Sequence, residues 1–147
     1  WFNDNQGGDY EITVRDQGVQ VAESSGSSSS SRLAECNSSG RLASCSAISV
    51  GEQVTGYIAA GEEDGWSFQG ENGQTVTIDL RGINDEDVYL ELYNERGNLI
   101  AENDDISLSS GDYNSRLTLT LNSTETYTIV ARTWSGFNSA NYSLSLR

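Results

Sequence analysis

Apolar side chains return at every second position through most of this chain. Residues 75–80 put Val76, Ile78 and Leu80 on one side. Residues 87–93 put Val88, Leu90 and Leu92 on one side and Tyr89, Glu91 and Tyr93 on the other, and residues 116–121 alternate through Leu117, Leu119 and Leu121. A period of two is the signature of a strand with one face turned to a core. Shorter stretches of the same character are Ile48-Ser49-Val50, Gln53–Ile58, Trp66-Ser67-Phe68, Leu99-Ile100-Ala101, residues 125–132 and residues 142–146. Turn chemistry separates them, as in Gly70-Glu71-Asn72-Gly73 and Glu95-Arg96-Gly97-Asn98. No segment carries a helical period. Many short strands at regular turn spacing predict an all-β antiparallel sandwich of two sheets over residues 47–147.

The same alternation occurs once more near the start. Tyr10-Glu11-Ile12-Thr13-Val14-Arg15 and the last six residues, Tyr142-Ser143-Leu144-Ser145-Leu146-Arg147, share the form Tyr-x-aliphatic-hydroxyl-aliphatic-Arg. Trp and Phe-Asn stand upstream of each copy. Residues 1–22 therefore read as an extra N-terminal β-strand or hairpin that copies the closing strand, with Tyr10, Ile12 and Val14 as its interaction side. Residues 23–31 are a Ser/Gly run with no core-forming side chain, a flexible tether whose reach is roughly 15–18 Å. Residues 32–46 contain Cys36 and Cys45 on either side of an Asn-Ser-Ser-Gly turn. Two cysteines with no histidine nearby make a poor metal site, and a small disulfide loop formed in an oxidising compartment is expected.

Composition narrows the chemistry. The net charge is -14, with 8 cationic residues against 22 acidic ones; all 8 are Arg, and the chain has no His, Lys, Pro or Met. Such a surface repels nucleic acid and anionic membranes, so neither is an expected partner. Lack of His removes a Ser-His triad, a His base and His-ligated metals, and lack of Lys removes Schiff-base and P-loop chemistry. The chain is expected to be non-catalytic. No apolar run is long enough to span a membrane and no signal peptide is evident, so an exported protein is expected here in its mature form or as a fragment.

In order, Val54-Thr55-Gly56-Tyr57-Ile58, Gly61-Glu62-Glu63-Asp64-Gly65-Trp66-Ser67-Phe68, Glu71-Asn72-Gly73-Gln74-Thr75-Val76-Thr77-Ile78, residues 85–93, Ala101-Glu102-Asn103-Asp104-Asp105 and the closing strand resemble the bacterial pre-peptidase C-terminal domain. One departure is Thr124-Glu125-Thr126, where that family usually has Gly before its Tyr strand. The resemblance implies a jelly-roll-like sandwich with no catalysis of its own, related to the collagen-binding domains of bacterial collagenases, some of which bind calcium.

The acidic loops are the candidate site. Asp85 and Asp87 precede one strand, and Asn103, Asp104 and Asp105 follow the next. Calcium takes six to eight oxygens, which two such loops supply if they meet in space; the bland alternative is ordinary Asx turn chemistry. Asn37, Asn122 and Asn141 stand in glycosylation sequons, and Tyr89, Tyr93, Tyr113 and Trp134 are candidate ligand-stacking aromatics set against ordinary packing. Two functions compete. The leading one is a subunit or repeat of a secreted or cell-surface filament, self-associating by addition of the N-terminal strand to a neighbour's sheet edge. The alternative is an accessory domain of a secreted peptidase that targets collagen, extracellular matrix, polysaccharide or cell surface.

Overall fold

The computed structural model describes Cys36 and residues 42–147. It contains nine strands: β1 (Leu42–Ala47), β2 (Gln53–Ile58), β3 (Glu63–Gly70), β4 (Thr75–Gly82), β5 (Val88–Tyr93), β6 (Leu99–Asn103), β7 (Ser115–Thr120), β8 (Glu125–Thr133) and β9 (Ala140–Leu146), with one 3-10 turn at Leu108–Ser110. They form a five-stranded sheet in the order β1-β3-β8-β5-β6 and a four-stranded sheet in the order β2-β9-β4-β7. With β1 set aside, the chain from β2 to β9 crosses between the sheets at every connection except the β5–β6 hairpin, the order that defines a jelly roll. No helix among the described residues is long and apolar enough to cross a membrane.

The alternating residues meet between the sheets. Val76, Ile78 and Leu80 of β4, Val88, Leu90 and Leu92 of β5, Ile129 of β8, and Leu144 and Leu146 of β9 are all fully buried in one cluster. Burying each such side chain contributes about 1.5–3 kcal/mol relative to exposure. Tyr142 of β9 lies fully buried among them and satisfies its hydroxyl within the core. It accepts a hydrogen bond from Trp66 Nε1 at 2.9 Å and donates to Asp64 Oδ2 at 2.9 Å. Burial pushes the Tyr142 hydroxyl far above its ordinary pKa, and the Asp64 carboxylate adds to this against the opposing Trp66 bond. Gly56 of β2 lies across from Tyr142, where a Cβ would stand 2.4 Å from the phenol oxygen.

Three local expectations change. Ile48-Ser49-Val50 is not a strand: Ile48 is buried and its N–H donates to Ser67 O at 2.9 Å, but Val50 already lies in a turn. The sandwich begins earlier, at β1, which pairs parallel with β3. Tyr89 and Glu91 do point to the outer side of β5, yet they are buried, as are Thr128 and Val130 on the outer side of β8. The middle of the five-stranded sheet, at β5 and β8, is thus buried on both faces, while the outer face of the four-stranded sheet stays open. Residues 1–22, the 23–31 tether and Asn37 lie outside the described residues.

Candidate functional site

The strand directions gather three loops at one end of the sandwich. β4 ends, β5 begins and β6 ends there, and so does β8. The loop between β4 and β5 is folded tightly. Its Asp85 sits in the left-handed region at φ 60°, a conformation Asp tolerates, and Glu86 closes the turn. The Glu86 carboxylate accepts from Asn84 N at 2.5 Å and from Asn141 N at 3.3 Å. Burial alone would raise its pKa, but these bonds outweigh it and hold the carboxyl below its ordinary value. Gly82 permits the turn, since a Cβ there would lie 2.3 Å from the Glu86 carbonyl oxygen.

This turn delivers Asp87 to the loop after β6. One carboxylate oxygen each of Asp87, Asp104 and Asp105 lie within 4.8 Å of one another. The loops are held by their backbones: Trp134 N donates to Asp87 O at 3.1 Å, and Ser115 Oγ lies between the carbonyl oxygens of Val88 and Asp104. The side chains are not so served. Oδ1 of Asp87, of Asp104 and of Asp105 is buried with no hydrogen-bond partner. Burial, then the neighbouring Asp105 charge, raises the Asp87 pKa; burial, then Asp105 and Asp87, raises that of Asp104, with Arg132 opposing. Buried acceptors are ordinarily satisfied, so three orphaned oxygens at one point form an oxygen-donor set suited to a hard cation.

Of the five acidic-loop candidates, three therefore meet. Asp85 is exposed and lines a groove with Asp87, Thr133 and Asn138, outside the trio. Asn103 ends β6, and its Oδ1 accepts from Arg116 N at 3.2 Å. Cys36 and Cys45 are disulfide-bonded, with Cα atoms 6.2 Å apart. Asn122 and Asn141 are exposed. The aromatic candidates do not share a platform. Tyr89 stacks on Trp134 at 5.7 Å beneath Arg132, Tyr93 donates its hydroxyl to Glu91 at 2.7 Å, and Tyr113 stands in the loop before β7.

A second charged site escaped the sequence. Asp79 alternates outward on β4 yet is only 2% exposed, because Arg116 of β7 and Arg147 after β9 pair with its two oxygens and Arg81 stands 3.9 Å away. No local signal marks it; the arginines come from three places in the chain.

The model of the bacterial pre-peptidase C-terminal domain matches residues 62–133, the span from β3 to the end of β8 that carries the acidic trio. These residues belong to that family. The solved pre-peptidase C-terminal domain of a Bacillus anthracis collagenase superposes with a TM-score of 0.58 at 13% identity, over 70% of this chain and 94% of that one. Aeromonas hydrophila PliG, a periplasmic inhibitor of g-type lysozyme, gives 0.52 at 16%, covering 70% and 97%. CorA of Methylomicrobium album, a surface-associated copper-binding protein, gives 0.51 at 8%, covering 71% and 99%. At such identities these likenesses establish the shared sandwich of the pre-peptidase C-terminal domain and nothing about ligands. No curated protein matches the sequence.

Proposed function

We propose that the chain is a non-catalytic binding module of a secreted or cell-surface protein, with a calcium ion at its acidic end and an extracellular ligand, matrix or polysaccharide, as its partner. The observation that carries the reading is the set of three buried, unpartnered oxygens of Asp87, Asp104 and Asp105. Hard oxygen donors brought together from two loops suit calcium, whose coordination is adaptable, better than magnesium, which demands near-ideal octahedral geometry. Backbone carbonyls and water would supply the remaining ligands. The Cys36–Cys45 disulfide fits an oxidising compartment. A solved domain of the same fold is part of a collagenase, which is in keeping with a module that accompanies an extracellular protein. The test is calorimetric titration of the chain with Ca²⁺, alongside thermal melts in calcium and in chelator. Binding to the native state alone stabilises by about 2.7 kcal/mol at a hundredfold excess over Kd. That shift should vanish in Asp104→Asn. No heat and no shift in melting temperature would refute the calcium site.

A second reading is self-association by strand addition, consistent with the edge strand β6. It pairs with β5 alone and leaves Leu99 and Ile100 exposed, a template for a neighbour's strand. The copied segment at Tyr10, Ile12 and Val14 would be the donor. Its pattern is that of β9, however, which lies inside its sheet between β2 and β4 rather than at an edge. Assembly that persists unchanged after deletion of residues 1–22 would exclude this reading.

A further inference from the structure

The open face of the four-stranded sheet gathers three arginines in a protein of net charge -14, with Glu52 at its edge and Asp112 within electrostatic reach of Arg81 and Arg116. Arg81, Arg116 and Arg147, three of the chain's eight cationic residues, surround the single carboxylate of Asp79. Their side chains remain 50%, 42% and 63% exposed. A guanidinium has five donors. Arg116 and Arg147 each reach Asp79 through one nitrogen, and Arg81 at 3.9 Å is beyond hydrogen-bonding distance of it. Asp79 thus fixes the arginines in place without exhausting them, and the unused donors suit an oxyanion, above all a carboxylate.

The surroundings narrow the ligand. The cross-strand rows through the arginines read Gln53, Ser145, Asp79, Arg116 and, one row on, Thr55, Ser143, Arg81. Short hydroxyl and amide side chains leave a shallow groove between Arg81 and Arg147, with Glu52 at its rim holding Ser49 N at 2.7 Å. On the same side of β2, Tyr57 is 58% exposed and offers an apolar ring face. Cations that grip carboxylates, neutral hydroxyls and an open aromatic ring together match a sugar chain that carries acid groups. A nucleic acid fits poorly. A duplex with one charge per about 1.7 Å of its axis would meet the repulsion of the whole acidic molecule, whereas a uronic-acid chain carries only one carboxylate per sugar ring.

We propose that this face binds a uronic-acid polysaccharide, with Arg81, Arg116 and Arg147 holding its carboxylates and Ser143, Ser145 and Gln53 meeting its hydroxyls. The proposal names the ligand of the binding module and rests on that reading. The test is retention of the full 147-residue chain on polygalacturonate, on neutral dextran and on polyglutamate, each in chelator and in calcium. Polygalacturonate should retain the protein in chelator, and salt should weaken the retention. Arg81→Gln should weaken it about tenfold, the usual scale of one lost charge-assisted hydrogen bond. Ser143→Asp should act likewise by setting a negative charge in the groove, while Arg96→Gln, in the turn after β5, should change nothing. Melting temperatures confirm that each variant folds. Retention unchanged in both groove variants, retention that requires calcium, equal retention on polyglutamate or dextran, or no retention at all would each overturn the proposal. The calcium titration reads the acidic end independently, so loss of this inference is distinguishable from loss of that site.

Discussion

Asp79 and the trio of Asp87, Asp104 and Asp105 are carboxylates withdrawn from water in the same small fold, and they are treated in opposite ways. Asp79 stands on a strand, inside a sheet, with a guanidinium on each oxygen. The trio stands on loops, with like charges as neighbours and three oxygens unbonded. A buried charge is tolerable when paired and costly when not. At the first site the chain's own side chains satisfy the buried carboxylate, and at the second the carboxylates are left open to a cation from outside. Buried acidity alone does not tell the two apart; the partners do.

The largest expected effect comes from the residue that joins the two regions. Gly82 ends the strand that carries Asp79 and abuts the turn that carries Asp87. Gly82→Ala forces a methyl group against the Glu86 backbone and should cost about 1–3 kcal/mol in denaturant unfolding. It should also abolish the calcium-dependent rise in melting temperature. Next, Asp79→Asn removes the anion that holds three arginines together. Its partners are half exposed, so solvent screening limits the loss to about 1–2 kcal/mol by chemical denaturation. The same change at Asp104 should have the other sign. In chelator Asp104→Asn relieves a charge that burial and its neighbours disfavour, and the melting temperature should rise slightly rather than fall.

The smallest effect is in the pH profile. The native pKa values of Asp87 and Asp104 lie above those of the unfolded chain, so the native state binds protons more readily. In chelator their contribution is least favourable at neutral pH. It improves as pH falls through the raised native values toward the unfolded value of about 4. In calcium the trend reverses, because protons displace the ion. Melts between neutral and mildly acidic pH, with and without calcium, measure the crossing; parallel profiles would remove the contrast between the two sites.

How much of this was legible in the sequence depends on whether the cause was local. Val76, Ile78 and Leu80, like Val88, Leu90 and Leu92, announce their strands because strand period and burial coincide there. The acidic end was legible as two loops rich in Asp, but its membership was not. Asp85 is exposed at a left-handed turn position outside the trio and Asn103 is spent on a backbone amide of β7, neither of which alternation can express. β1 was missed because Ser44 and Ser46 give its sequence little apolar contrast, and its pairing with β3 joins segments distant in the chain. Asp79 went unmarked for the same reason. An outward Asp reads as solvated until arginines from other strands are seen to cover it.

The parallel pairing of β1 also has a mechanical consequence. Leu42 pairs with Glu63 at the acidic end, whereas β9 runs from that end to Leu146 at the far one. The polypeptide thus enters and leaves the sandwich at opposite poles. Tension along the chain would load β1 against β3, and β9 against β2 and β4, in shear, so that the bonds of each ladder must give way together rather than open one at a time. The Cys36–Cys45 bond ties the entry strand to the residues before it, so a pull from that side reaches β1 through Cys45 as well as through the backbone.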